Sequence, residues 1–313
     1  MTSIDTIDLE EIATELSSIL DIVRWSMSQF NQADLYYGHG TDNAWSEALT
    51  LALQVLHLPQ NMTEDDLHLI LQSKLTLAEK KQILALVKRR ILEKLPVAYL
   101  TNQAWFCGLP FYVDERVLVP RSPFAELIDQ HFSTWLESEP QYILDLCTGS
   151  GCIAIALAYE FEESQVDAVD ISDDALQVAD INIQEHGLHD RVLPIKSDLM
   201  EALQGHKYDL IVSNPPYVDA EDMSDLPDEF HHEPELGLAA GEDGLVLVDT
   251  ILRQAVEHLN PDGWLFVEVG NSEVHMNAKY PELDIHWVEF EHGGRGVFAI
   301  NHANLTAYWA KHS

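Results

Sequence analysis

The chain has 313 residues, of which 46% are apolar, which is long enough for two hydrophobic cores and excludes a disordered chain. Its formal net charge is -36, a field that repels phosphate backbones and so disfavours direct binding to naked nucleic acid. No stretch approaches about 18 uninterrupted apolar residues, so no membrane span is expected, and the acidic segment Met1 to Glu15 lacks the pattern of a secretory signal.

The charge is uneven. Residues 1–100 carry 8 Lys+Arg against 14 Asp+Glu, and residues 101–313 carry 9 against 39. Such a surface attracts a basic protein, and it equally suits solubility or salt adaptation. Cys107, Cys147 and Cys152 form no C-x-x-C pair, which predicts reduced thiols and a cytoplasmic setting. The histidines show no metal-ligand spacing. The pair His231-His232 reads as solvated loop, and no metal is expected.

Residues 6–95 read as helices. Apolar residues recur at three- and four-residue spacing in Ile12, Leu16, Ile19, Leu20 and Val23, again from Ala48 to Leu56, and again from Ile83 to Leu95. Thr63 before Asp65-Asp66 has the form of an N-cap, and Thr76 with Glu79 that of a capping box. Residues 97–119 change character: Phe106, Phe111, Tyr112 and Val113 around Gly108-Leu109-Pro110 predict a hairpin or connector.

From Tyr142 strands alternate with helices. Strands are predicted at Tyr142–Cys147, Gln165–Asp170, Arg191–Lys196, Leu210–Ser213 and Trp264–Val269, with helices at Ile153–Tyr159, Asp173–His186 and Leu245–Leu259. Pro261-Asp262-Gly263 reads as a turn, and Ile285–Phe290 with Gly296–Ile300 as a closing hairpin around Gly293-Gly294. This order implies an α/β fold with a mostly parallel sheet covered on both faces.

Asp145-Leu146-Cys147-Thr148-Gly149-Ser150-Gly151 is a strand running into a glycine-rich turn and a helix. Glycines there let the backbone pass close to a ligand at the carboxyl end of the first strand. A carboxylate at Asp145 would repel a pyrophosphate but attract the amino group or sulfonium of S-adenosylmethionine. Asp170 ends the second strand, where a carboxylate accepts hydrogen bonds from both hydroxyls of a ribose. Ser197-Asp198 follows the third strand and can meet an adenine amino group.

Asn214-Pro215-Pro216-Tyr217 follows the fourth strand and is the strongest signal in the chain. Two prolines fix the loop and remove two backbone donors. What remains are two acceptors, the Asn214 side-chain oxygen and the Pro215 carbonyl, which together fit an NH2 group. Tyr217 offers a flat face to a planar acceptor. Val218 to Gly241, rich in acids, reads as a lid over this site.

Asp145 through Gly151 resembles the first motif of class I methyltransferases. With Asn214 to Tyr217 it resembles the amino methyltransferases acting on adenine N6 or on glutamine side chains. Pro96 to Thr101 and Val117-Leu118-Val119-Pro120-Arg121, with the helical N-terminal segment, are similar to the protein-glutamine N5-methyltransferases. Arg121-Ser122-Pro123-Phe124, Ala104 to Gly108 and His292 to Phe298 resemble the branch acting on ribosomal protein L three of the large subunit more than the release-factor branch.

The resemblance implies a class I S-adenosylmethionine methyltransferase fold, Rossmann-like, with a mostly parallel seven-stranded sheet ending in an antiparallel hairpin. It implies an all-α substrate-recognition domain over 1–95, a connector over 96–119 and a catalytic domain over 120–313. Asp145, Cys147, Thr148, Gly149, Ser150, Gly151, Asp170, Ile171, Ser197, Asp198 and Asn214 carry over as contacts to S-adenosyl-L-methionine. Asn214, Pro215, Pro216 and Tyr217 carry over as the acceptor site. The implied partner is a basic ribosomal protein. Release-factor methylation, adenine N6 methylation of nucleic acid, and a non-catalytic ribosome-biogenesis role stand as the alternatives.

Overall fold

The computed structural model describes residue 4, residues 7–219, residue 223, residues 226–241 and residues 243–312. Five positions of the expected lid, 220–222 and 224–225, lie outside the described residues.

Five helices open the chain: α1 (Leu9–Glu15), α2 (Ile19–Gln32), α3 (Ala44–Val55), α4 (Glu64–Leu71) and α5 (Leu77–Glu93). The first apolar stripe spans two of them. Ser18 interrupts it, capping α2 in a reciprocal bond pair with Asp21 that relieves the orphan N–H groups of that end. Thr63 caps α4, and Thr76 with Glu79 forms the capping box of α5. Ile22, Val23, Leu51, Ile83 and Leu84 are fully buried at the centre of these helices. At about 2 kcal/mol for each such side chain, their burial outweighs the modest intrinsic helix propensity of the segment.

The connector opens with a helix ahead of the expected hairpin, α6 (Val97–Thr101). Its start follows Pro96, whose missing N–H costs nothing at a helix N-terminus. A two-stranded hairpin follows, β1 (Ala104–Phe106) with β2 (Leu109–Phe111), and then α7 (Phe124–Asp129).

The remaining strands are β3 (Tyr142–Leu146), β4 (Gln165–Asp170), β5 (Val192–Lys196), β6 (Tyr208–Ser213), β7 (Leu259–Glu268), β8 (His286–Trp287) and β9 (Val297–Asn301). They form one seven-stranded sheet in the order β5-β4-β3-β6-β7-β9-β8. All pairings are parallel except those of β9, which runs antiparallel to both β7 and β8. Helices α8 (Cys152–Glu160), α9 (Asp173–Glu185) and α10 (Val246–His258) connect the parallel strands, and apolar clusters fill both sides of the sheet. The near-continuous burial of β3 and β6 is what a doubly covered parallel sheet requires.

Three expectations need correction. Pro261-Asp262-Gly263 is part of β7 rather than a turn: the register slips opposite Tyr208, and a Cβ at Gly263 would stand 2.9 Å from the Tyr208 carbonyl oxygen. Glycine lets the bulged strand make that approach. The first strand of the closing hairpin is only two residues long. The chain does not end on the hairpin either, because α12 (His302–His312) follows α11 (Glu273–Lys279) and β9. Its apolar stripe, Leu305, Tyr308 and Trp309, packs beside α10 and is too short to stand out as periodicity.

Candidate active site

Strands β3, β4 and β6 deliver their carboxyl ends to one cavity of about 510 Å3, within the range of small-molecule sites. The turn after β3 bends sharply. Cys147, Gly149 and Gly151 have φ of 61°, 55° and 79°, and for Cys147 this left-handed conformation is a strained one. The Thr148 N–H donates to the Val169 carbonyl at 3.0 Å, and the Gly149 N–H to Asp170 Oδ2 at 3.0 Å. These bonds tie the turn to β4. Asn182 of α9 supports it from behind, donating to the Ser150 carbonyl at 2.8 Å and to that of Tyr112 at 3.0 Å.

Cys147, Thr148, Gly149, Ser150, Asp170, Ile171, Ser197 and Asp198 all line the cavity, as do Asn214, Pro215, Pro216 and Tyr217. A Cβ at Gly149 would meet no atom within 4 Å, so this glycine leaves the wall open to a close ligand. Asp170 keeps part of its carboxylate on the Ser172 and Gly149 N–H groups, and burial raises its pKa.

Two residues expected at the ligand do not line the cavity. Asp145 is fully buried behind the turn, where its Oδ2 accepts from the Thr148 hydroxyl and, at 3.1 Å, from the Ala154 N–H. It braces the turn. Its Oδ1 has no partner among the described residues. Burial pushes its pKa up to about 7 against the pull of those two donors. Gly151 likewise faces protein: a Cβ there would stand 3.3 Å from Ala179 Cβ. Its role is the close packing of α8 on α9.

The loop after β6 leaves two hydrogen-bond acceptors unoccupied. Neither the Asn214 side chain nor the Pro215 carbonyl is engaged in a hydrogen bond among the described residues. Tyr217 is held by its phenol, which donates to Glu268 Oε1 at 3.0 Å, and by its carbonyl, which accepts from Ser272 Oγ at 3.1 Å.

Several wall residues escaped the sequence reading. Glu268 ends β7, and Ser122 donates to its Oε2 at 2.6 Å. Tyr36 and Gly38 reach the cavity from the loop between α2 and α3. The expected lid supplies Leu226, Phe230, Pro234 and Leu236 to the wall. Two of its acids are buried rather than solvated. Glu229 accepts from Arg90 Nη1 at 3.1 Å and from the Tyr36 N–H at 3.0 Å. Glu233 accepts from Arg121 Nη2 at 2.7 Å and from the Val119 N–H at 3.0 Å. Burial pushes the Glu233 pKa up, but His39 and the Arg121 guanidinium outweigh it and hold the value at about 2. Arg90, itself 1% exposed, also pairs with Glu47 of α3, so the segment after β6 is bolted to the helices. No group of His, Cys, Asp and Glu able to hold a metal occurs among the described residues.

A strand-end turn, acids at successive strand ends and a proline-locked pair of acceptors, all on one cavity, define a methyltransferase. A family model described as methyltransferase small domain matches residues 125–241. The chain is 49% identical over 297 residues to a protein of Neisseria gonorrhoeae (strain ATCC 700825 / FA 1090) named ribosomal protein uL3 glutamine methyltransferase, covering 94% of this chain and 98% of that one. It is 48% identical over 297 residues to the protein of the same name from Neisseria meningitidis serogroup B (strain ATCC BAA-335 / MC58), covering 94% and 96%. A solved methyltransferase from Pyrococcus furiosus is similar at 18% identity and a TM-score of 0.45, covering 72% of this chain and 99% of that one. This chain belongs to the ribosomal protein uL3 glutamine methyltransferase family.

Proposed function

We propose that the protein transfers a methyl group from S-adenosyl-L-methionine to the side-chain amide nitrogen, N5, of one glutamine in ribosomal protein uL3. The observation that carries the reading is the free acceptor pair of Asn214 and Pro215 on the cavity wall, in a chain 49% identical to a protein of that name.

The residues present fit the cofactor. The open face of Gly149, with Thr148 and Ser150 beside it on the wall, and Asp170 and Asp198 at adjacent strand ends suit an amino acid joined to an adenosine. When bound, that group supplies a methyl already activated as a sulfonium. Cys147 to Ser150, Asp170, Ile171, Ser197 and Asp198 would hold it. Asp145 would act one step removed, by bracing the turn.

An amide nitrogen is a weak nucleophile because its lone pair is delocalised. The site therefore works by positioning and electrostatics. Asn214 Oδ1 and the Pro215 carbonyl accept the two N–H bonds of the glutamine amide, which aims the nitrogen and raises its electron density. Tyr217 bounds the amide plane. The nitrogen gains a methyl and loses one proton to water after transfer, so no strong base is required.

The acidic surface of residues 101–313 favours a basic partner over nucleic acid. No helix among the described residues is long and apolar enough to cross a membrane. A cytoplasmic site of action and the division at residues 95 and 119, with the helices gripping uL3, belong to the same reading. The test is incubation of the purified protein and labelled S-adenosylmethionine with unmethylated uL3, with release factor, and with ribosomal RNA. Label on a single uL3 glutamine supports the proposal. Label on release factor or RNA alone refutes it, and absence of cofactor binding by calorimetry would leave a non-catalytic assembly role.

A further inference from the structure

Glu268 is a buried carboxylate on the cavity wall to which the reaction above gives no part. Strands β6 and β7 are parallel, with Ser213 opposite Val267. The next residues, Asn214 just past β6 and Glu268 as the last residue of β7, therefore stand side by side at the carboxyl end of the sheet. Glu268 is 5% exposed. Its partners are two neutral hydroxyls, Ser122 Oγ at 2.6 Å and the Tyr217 phenol at 3.0 Å. The nearby guanidinium of Arg121 is committed to Glu233 through both Nη atoms. A buried carboxylate with no cation hydrogen-bonded to it is costly to keep, and burial raises its pKa against the pull of Ser122, Tyr217 and the more distant Arg121 charge. Such a group persists where its geometry serves the site.

Its geometry serves Tyr217. The phenol is fixed by Glu268, the carbonyl by Ser272, and the ring lies against Gly270, where a Cβ would stand 2.5 Å from Tyr217 Cε2. Of these three restraints Gly270 packs against one edge of the ring, and only the phenol bond is a directional one at its far end. Ser122 in turn holds the second oxygen of Glu268, so the carboxylate cannot swing away.

We propose that Glu268, anchored by Ser122, is a positioning residue that fixes the phenol of Tyr217 and thereby sets the plane against which the acceptor amide lies. This rests on the reading that an amide is methylated beside Asn214.

The test uses the full-length chain with Glu268→Gln, Tyr217→Phe, Ser122→Ala and the Tyr217→Phe double variants of the other two. Glu268→Gln should lower kcat on uL3 about tenfold and leave the S-adenosylmethionine Kd within about twofold. In the Tyr217→Phe background it should cost nothing further. Ser122→Ala should give a smaller loss in the same direction, also absent in that background. Wild-type kcat in Glu268→Gln, or losses that multiply in the double variants, overturns the proposal. If Glu268→Gln does not fold, the Ser122→Ala and Tyr217→Phe cycle decides by the same criterion. The Tyr217 Cζ resonance in 13C-tyrosine-labelled protein reads the contact without turnover. An unmoved resonance in Glu268→Gln or Ser122→Ala overturns the proposal, whatever the substrate. A moved resonance in an enzyme that leaves uL3 unmethylated supports the positioning role and indicts the substrate reading alone.

Discussion

Gly296 presses on Gly270 so closely that a Cβ on the former would stand 2.2 Å from the carbonyl oxygen of the latter. Gly270 in turn carries the ring of Tyr217. A glycine in the last strand region thus supports the tyrosine of the acceptor loop through a second glycine. Both have positive φ, 73° and 48°, so backbone conformation and space agree in requiring glycine.

Three alanine variants separate these effects. Gly296→Ala should cost about 2–4 kcal/mol of stability, because its obstacle is backbone that cannot step aside. Gly293→Ala should cost only about 1 kcal/mol, the strain of a left-handed alanine, since a Cβ there meets nothing within 4 Å. Gly270→Ala should lower activity out of proportion to its melting temperature by displacing Tyr217. Thermal melts alongside kcat measurements check the order, and equal melts for Gly293→Ala and Gly296→Ala would remove the close approach as a cause.

Asn214→Ala should lower kcat about a hundredfold with little change in cofactor affinity, the loss of one transition-state acceptor. Asp170→Ala should do the reverse, raising the S-adenosylmethionine Kd about tenfold or more, because it removes an acceptor and frees the Gly149 N–H it now holds. Steady-state kinetics with calorimetric Kd values check the split. Comparable losses in both quantities for Asn214→Ala would move that residue into cofactor binding.

Asp145→Asn tests the brace. The folded pKa of Asp145, about 7, lies above its ordinary value of 3.8. A raised carboxylate pKa contributes stability below the unfolded value that is lost as pH rises through the folded value. The wild-type chain should therefore lose, from this group, on the order of a few kcal/mol between about pH 4 and pH 7. The substituted amide never ionises, so the variant's melting temperature should rise relative to wild type over that window. A difference independent of pH would contradict the assignment.

Glu233 has the opposite sign. Its folded pKa of about 2 lies below the ordinary 4.5, so its stabilisation is present above about pH 4.5 and is lost as pH falls toward 2. Glu233→Gln should melt below wild type near neutral pH, and the gap should narrow on acidification. Urea midpoints across that range check it.

The residues that share the cavity were legible wherever they sat in contiguous stretches. The Cys147–Ser150 turn, Asp170, Ser197-Asp198 and the Asn214 tetrapeptide meet on one cavity because strand ends of a parallel sheet converge. Asp145 was misplaced because a motif gives the order of residues and not the direction of a side chain. At the end of a buried strand, period two decides whether a carboxylate faces the ligand or the turn behind it. Glu268, Ser122 and Tyr36 were invisible for a different reason. Each acquires its role from a partner more than a hundred residues away, and no local spacing encodes that.

The bolts that hold Glu229 and Glu233 to the rest of the chain have a kinetic consequence. Tyr36 and Glu229 lie 193 residues apart, Arg90 and Glu229 139 apart, and Arg121 and Glu233 112 apart. Contacts between such distant parts of a chain carry a loop-closure cost that nothing nearby repays in advance. The sheet can pair its neighbours early, but the cavity wall closes only when both ends of the chain have found each other. Catalytic competence should therefore be the last property to arrive on refolding, and in mild denaturant the first to leave, while the strands beneath it still hold their order.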